Sequence, residues 1–247
     1  MSTAKSFDSD ELYDNCSSDP KEVTCFCGRT AFTIFNGRVR KARECACNDC
    51  YQHMKWCRAV GGPDVPPIPH GGYWDNDIQL DRGEENLMVV MLRESGRSRR
   101  LVAKCCHSTL LIDHPGYRGI QFLLFENACK IPWDNDVDPP TVTRIPSDRI
   151  FMKDWDGSRG ELPEFIGDPE RVVERAGLPF THKTNRQNID NPLGETCQSL
   201  FSRLPWFTLE IEEGLIPTDR SGWPNLKPIE VRHSSWSEDK LWFFKEK

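Results

Sequence analysis

Four cysteines crowd into the fourteen residues "ECACNDCYQHMKWC", positions 44 to 57, and no other feature constrains this chain as strongly. Eleven cysteines occur in 247 residues, and they sort by spacing. Cys25 and Cys27 form C-x-C, Cys45, Cys47 and Cys50 form C-x-C-x-x-C, and Cys105 and Cys106 are adjacent. Cys16, Cys57, Cys129 and Cys197 have no neighbour at ligand spacing and read as packing residues. Seven clustered thiols fit zinc, which takes sulfur ligands in tetrahedral geometry. Ligands a few residues apart let one tight turn present two or three sulfurs with little loop entropy to overcome. Neither common ferredoxin spacing is matched, which sets an iron–sulfur cluster behind zinc.

Clustered thiols hold metal where the surroundings are reducing and form disulfides where they are oxidising. The first twenty residues carry five acidic residues against one lysine and lack the apolar core of a signal peptide, so a solvated tail and a cytoplasmic location are expected. No apolar run approaches the roughly 18 residues needed to span a bilayer, so no membrane partner is expected. A net charge of −6 gives no general attraction to nucleic acid. The expected partner is a small molecule.

The segments around the thiols predict a mainly β fold. "EVTCFCGRTAFTIF" is rich in β-branched and aromatic residues, with Gly28 supplying a turn after the first thiol pair. "NLMVVML" and "GIQFLLF" are short apolar runs bounded by turn residues, and "RRLVAKCCHSTLLI" reads as two strands joined by a cysteine-bearing turn. Four prolines and four glycines across 61–74 predict a wall or flap without regular structure, within which His70 is a candidate pocket residue. Beyond residue 130 the pattern becomes mixed α+β. "DPERVVERAG" has Asp168 placed to cap a helix, Pro169 at its first position and Gly177 to end it. "GETCQSLFSRLP" predicts a short helix stopped by Pro205, and "PWFTLEI" and "KLWFFKEK" predict strands or packing segments. Tryptophans at 133, 155, 206, 223, 236 and 242 argue against a disordered tail. The expected organisation is an acidic tail (1–21), a zinc-binding β domain (22–130) and a C-terminal extension packed on it (131–247).

"CFCGRTAF", "CACNDC" and "KCCHSTL", in that order, resemble the glutathione-dependent formaldehyde-activating enzymes and their relatives, which include centromere protein V. The resemblance spans residues 22–130. It implies a β-tent fold of small antiparallel sheets meeting at zinc, and two zinc ions. Cys25 and Cys27 would be ligands of a structural ion, while Cys45, Cys47 and Cys50 would hold a reactive one with glutathione as cosubstrate. Two positions depart from the pattern. Ala46 stands where a histidine is usual, and the later C-x-x-C is shortened to Cys105–Cys106. Neighbours on a regular strand point to opposite faces, so both thiols reach one ion only if the chain turns or bulges there. If one binds, Cys106 is preferred because "CHSTL" resembles the "CGTPL" of those enzymes, and His107 is the natural fourth ligand.

Three protein ligands leave one position of a zinc site for substrate, and a thiol there loses its proton and becomes nucleophilic at neutral pH. That chemistry makes or breaks carbon–sulfur bonds, as in the adduct of an aldehyde with glutathione. His53, three residues past Cys50, is the candidate acid–base group if a helical turn follows the cluster. Arg40, Arg43 and Arg58 are candidates for holding the carboxylates of glutathione through guanidinium forks. A binding module without catalysis, closed by Cys57 as a fourth ligand, is the competing reading. A third is Lewis-acid cyclisation or isomerisation of a carbonyl compound.

Overall fold

A computed structural model describes residues 16–131, 146–174 and 194–230. The expected helix end at Gly177, the "KLWFFKEK" segment, most of the acidic tail and the tryptophans at 133, 236 and 242 lie outside these residues.

Two sheets dominate, so the fold is mainly β, as the sequence predicts. The smaller is antiparallel and three-stranded, in the order β1 (Lys21–Thr24), β2 (Ala31–Ile34), β5 (Ile78–Arg82). The larger has nine strands. Its centre runs β3 (Lys41–Cys45), β4 (His70–Asp75), β9 (Gln121–Phe125), β8 (Thr109–Asp113), β7 (Arg99–Ala103) and β6 (Leu87–Met91), all antiparallel. Segments beyond residue 145 complete both flanks. β10 (Asp148–Ile150) pairs parallel with β3, and β11 (Trp206–Thr208) pairs parallel with β6 and carries β12 (Lys227–Ile229) outside it.

Side-chain alternation explains the layering, because successive strand residues face opposite sides. Trp74, Leu111, Phe122 and Leu124 face Phe32, Ile34 and Ile78 of the small sheet, with Phe32 and Phe122 meeting edge-on at 6.2 Å. The same layer receives Leu200 and Phe201 of α2 (Cys197–Ser202), a short helix closed by a Thr196–Ser199 capping box. Their strand neighbours Tyr73, Ile112, Leu123, Met88 and Val102 face the other way, onto Met54, Trp56 and Cys57 of α1 (Asn48–Ala59). Burial on both faces is why the strands read as continuous apolar runs.

Two expectations change. The stretch 61–74 is irregular only to Pro69, and from His70 it forms β4 inside the sheet. Gly71 is there for packing: a Cβ on it would lie 2.5 Å from the Leu124 carbonyl oxygen. The helix expected from Asp168 is a single 3-10 turn, Pro169–Arg171, with the Asp168 carboxylate accepting from the Glu170 N–H. Val172 and Val173 then pair with Arg149 beside β10, where β-branched residues gain more than in a helix.

Two thiol clusters as candidate metal centres

The hairpin of β1 and β2 is closed by a turn in which Gly28, at φ +76°, donates its N–H to the Cys25 carbonyl. Cys25 Sγ accepts the Thr30 N–H at 3.4 Å, and the Phe26 N–H is bound by Ser108 Oγ at 2.9 Å. This fixes Cys25 and Cys27 against the turn between β7 and β8. There the chain does turn and bulge: the register shifts at Leu101/Val102, and His107 takes a left-handed conformation, φ 51°. Cys105 and Cys106 are both released from strand geometry and join the first pair.

In this four-thiol cluster Cys105 Sγ lies 3.3 Å from Cys27, 3.8 Å from Cys25 and 3.9 Å from Cys106, and Cys25 is 3.5 Å from Cys27. Zinc–sulfur bonds of about 2.3 Å place tetrahedral sulfurs about 3.8 Å apart, so the donor set fits one such ion. Both vicinal thiols lie in the cluster, so the choice of Cys106, made for the case in which one of them binds, does not arise. His107 is not in the cluster. Its ring meets Trp56 edge-on at 6.0 Å. Ser108 Oγ lies 3.1 Å from Cys106 Sγ. Burial pushes the Cys106 thiol up, but hydrogen bonds from Ser108 and from backbone N–H groups outweigh it and bring it down to about 6.

Cys45 ends β3, and Cys47 and Cys50 bracket the first turn of α1. Cys47 caps that helix, its sulfur accepting the Cys50 N–H at 3.3 Å, so the positive end of the helix dipole points at the thiols. The three sulfurs lie within 4.8 Å of one another, with Cys45 and Cys50 at 3.9 Å. All three thiols are held well above their usual range. Cys45 is raised by its bond to Cys47 and by burial, and Cys50 by its bond to Cys45 and by burial. For Cys47 the bond to Cys45 pulls down, and the bond to Cys50 together with burial prevails. A divalent cation would relieve that cost by taking all three as thiolates. Among the described residues no fourth Cys, His, Asp or Glu joins this group. Cys57, the alternative closing ligand, is buried about two turns along α1 from Cys50, against Thr109 and His53, with its thiol pushed up to about 12 by burial.

The cluster is walled by Tyr73, Ile112, Leu123, Phe125 and Ile150, with Tyr117 edge-on to Tyr73 at 5.1 Å. Burial drives the Tyr117 hydroxyl well above its usual range, so it keeps its proton at neutral pH. Residues beyond 145 hold the cysteine loop. Ala46 N–H bonds to the Ile150 carbonyl at 2.9 Å and Asn48 N–H to Asp154 Oδ2 at 3.1 Å. Arg159, buried over the Tyr51 ring, donates to the Ala46 carbonyl at 2.6 Å and to Asn48 Oδ1 at 2.5 Å. Sequence reading missed Tyr73, Tyr117 and Arg159. Tyr73 sits in a glycine-rich stretch that is buried from Gly71 to Asp75 and shows no polar–apolar alternation, and Arg159 lies in a loop, so local pattern marks neither.

A helix does follow Cys50, but His53 is 1% exposed, with Nε2 2.8 Å from Thr109 Oγ1 and Nδ1 buried without a partner among the described residues. Burial, reinforced by Arg100, holds it well below the usual imidazole range, so it is neutral. Arg43 is buried and makes a two-pronged pair with Asp148 at 2.6 and 2.7 Å. Arg40 grips Asp75 in the same way. Both forks are occupied by the protein's own carboxylates, which accounts for these two charges without a ligand. Arg58 is more than half exposed at the end of α1, 3.0 Å from Asp64. His70 pairs with Glu126 at 3.1 Å.

Fold and site together define a mainly β protein with two cysteine clusters that could hold metal ions. No protein family, curated protein or solved structure matches the chain. No described helix is long and apolar enough to cross a membrane.

Proposed function

We propose that this protein is a zinc enzyme that makes or breaks a carbon–sulfur bond in a thiol adduct of an aldehyde or a related electrophile. The observation that carries the reading is the unequal ligand count: four thiols in one cluster and three, among the described residues, in the other. Four ligands close a zinc site and three leave a position for substrate. A zinc ion at Cys45, Cys47 and Cys50 would supply a Lewis-acid position that favours the deprotonated, nucleophilic form of a substrate thiol.

The chain's own residues would do the rest. The N-terminus of α1 offers partial positive charge to the thiolates. Tyr73 and Tyr117 form an apolar wall that excludes water, and Tyr117, protonated at neutral pH, has a hydroxyl able to donate to a developing oxyanion. The resemblance of the three cysteine motifs to the glutathione-dependent formaldehyde-activating enzymes points to glutathione as the first thiol to test. Recognition of its carboxylates by Arg40 or Arg43 drops out of the proposal, because both guanidiniums are engaged.

Metal content and turnover test the reading together. Elemental analysis should give two zinc ions per chain. Nuclear magnetic resonance should show faster formation or decay of glutathione–aldehyde adducts with wild type than with Cys50→Ser. Zinc-loaded protein that accelerates none of a panel of aldehyde adducts, or Cys50→Ser with full activity, refutes it.

A further inference from the structure

Arg100 is 1% exposed, one of the largest fully buried side chains of the protein. It stands on β7 facing α1, while its neighbour Arg99 lies on the opposite face over the Trp206 ring. A guanidinium is expensive to bury unless an anion compensates it. Other arginines hold the nearby carboxylates. Arg93 takes Asp49 at 2.9 Å, and Arg118 takes Asp113 at 2.7 Å, with Arg99 3.7 Å from the same group. Among the described residues Arg100 reaches two carbonyl oxygens, Ser98 at 3.4 Å and Asp49 at 3.3 Å, and its buried Nε has no partner there. Among the described residues no carboxylate pairs with it.

Asp49 directly precedes Cys50, so its carbonyl brings the Arg100 head group beside the three-thiol cluster. The guanidinium charge acts on Cys50, His53, Cys57, His114 and Tyr117. His53, His114, Cys57 and Tyr117 are neutral at pH 7 and supply no negative charge. Three thiolates and one divalent cation, by contrast, carry a net negative charge of one. We propose that Arg100 is the buried counter-charge of a metal–thiolate group at Cys45, Cys47 and Cys50, a positioning residue that neutralises the site and tightens its hold on the ion. The inference rests on the reading that these three thiols bind a divalent metal, and is separable from the carbon–sulfur chemistry.

The experiment compares wild type, Arg100→Met and Arg100→Lys, each already holding zinc at the four-thiol cluster. Affinity for the second zinc is read by chelator competition, and melting temperature is read with and without that zinc. Arg100→Met should bind the second zinc more weakly by on the order of tenfold or more, and Arg100→Lys should lose less because it keeps the charge. Without the second zinc, Arg100→Met should melt at or above wild type, since an uncompensated buried charge has gone. Equal affinity for the second zinc in wild type and Arg100→Met overturns the proposal. So does an Arg100→Met protein that melts lower by the same margin with and without that zinc, because the defect then belongs to the fold. Should Arg100→Met fail to fold, Arg100→Gln carries the same comparison. If wild type takes no second zinc and Cys50→Ser leaves its zinc content unchanged, the metal reading of the cluster fails too, and this proposal with it.

Discussion

Replacing Asp148 with Asn tests how the strand beyond residue 145 supports the three-thiol site. The Asp148 carboxylate is 1% exposed and receives Arg43 at 2.6 and 2.7 Å and Lys41 at 2.8 Å. Those bonds sew β10 to β3, where Ile150 lies opposite Cys45. Asparagine keeps the shape and removes the charge, so the buried Arg43 guanidinium loses its carboxylate. Removing one partner of a buried pair costs about 3–5 kcal/mol. For a chain of this size each kcal/mol lowers the melting temperature by about 2–4 °C, so a fall of roughly 6–20 °C is expected. Arg43→Met with Asp148→Leu should recover part of the loss, because an apolar pair avoids the desolvation of those two charges while Lys41 still gives up its bond to Asp148. The loss should also depend on pH. Burial alone would raise the Asp148 carboxyl, yet Arg43 and Lys41 hold it below its usual value. A depressed carboxyl contributes stability that is present above the unfolded-state value near 4 and lost as the pH falls through the folded value. The gap between wild type and Asp148→Asn should therefore be full at pH 7 and shrink below about pH 4. Scanning calorimetry across pH reads all of this. A shift under about 2 °C at pH 7, or one that does not shrink in acid, refutes the assignment of Asp148 as the buried partner of Arg43.

Cys105→Ser removes the best-connected sulfur of the four-thiol cluster. A zinc ion held there would tie the β1–β2 hairpin to the β7–β8 turn, so the variant should contain one zinc fewer and aggregate or melt early. Cys50→Ser, followed by the same zinc analysis and melt, should lose the other zinc and stay folded. An equal collapse of both variants would show that both clusters are structural. Arg159→Ala frees the Ala46 carbonyl and Asn48, and should cost about 1–3 kcal/mol in denaturant unfolding and speed zinc release from the three-thiol cluster. Unchanged release kinetics would count against the loop-holding role. Gly71→Ala drives a Cβ to within 2.5 Å of the Leu124 carbonyl in a paired strand, and should destabilise by about 1–3 kcal/mol without changing zinc stoichiometry.

Local chemistry made the thiol clusters legible. C-x-C and C-x-x-C spacings restrict the turns a chain can make, so Cys25, Cys27, Cys45, Cys47 and Cys50 could be grouped before any fold was known. The hairpin, the strands at 87–91, 99–103, 109–113 and 121–125, and the short helix at 197–202 were equally local, set by β-branched runs, turn residues and the stop at Pro205. Tertiary structure alone decided the rest. That Cys105 and Cys106 both join Cys25 and Cys27 depends on a bulge and on a left-handed residue, His107, that spacing does not encode. "GGPDVPPIPHGGYW" reads as loop because glycine disfavours strands, yet Gly71 lies in one because β9 approaches too closely for a side chain. Arg40 and Arg43 read as ligand-binding forks, since nothing in the sequence shows that Asp75 and Asp148 will fold onto them across 35 and 105 residues. Arg100 is the sharpest case. In sequence it is one arginine of a basic pair, and only long-range packing gives Asp49 and Asp113 to other arginines and leaves this one buried beside three thiols.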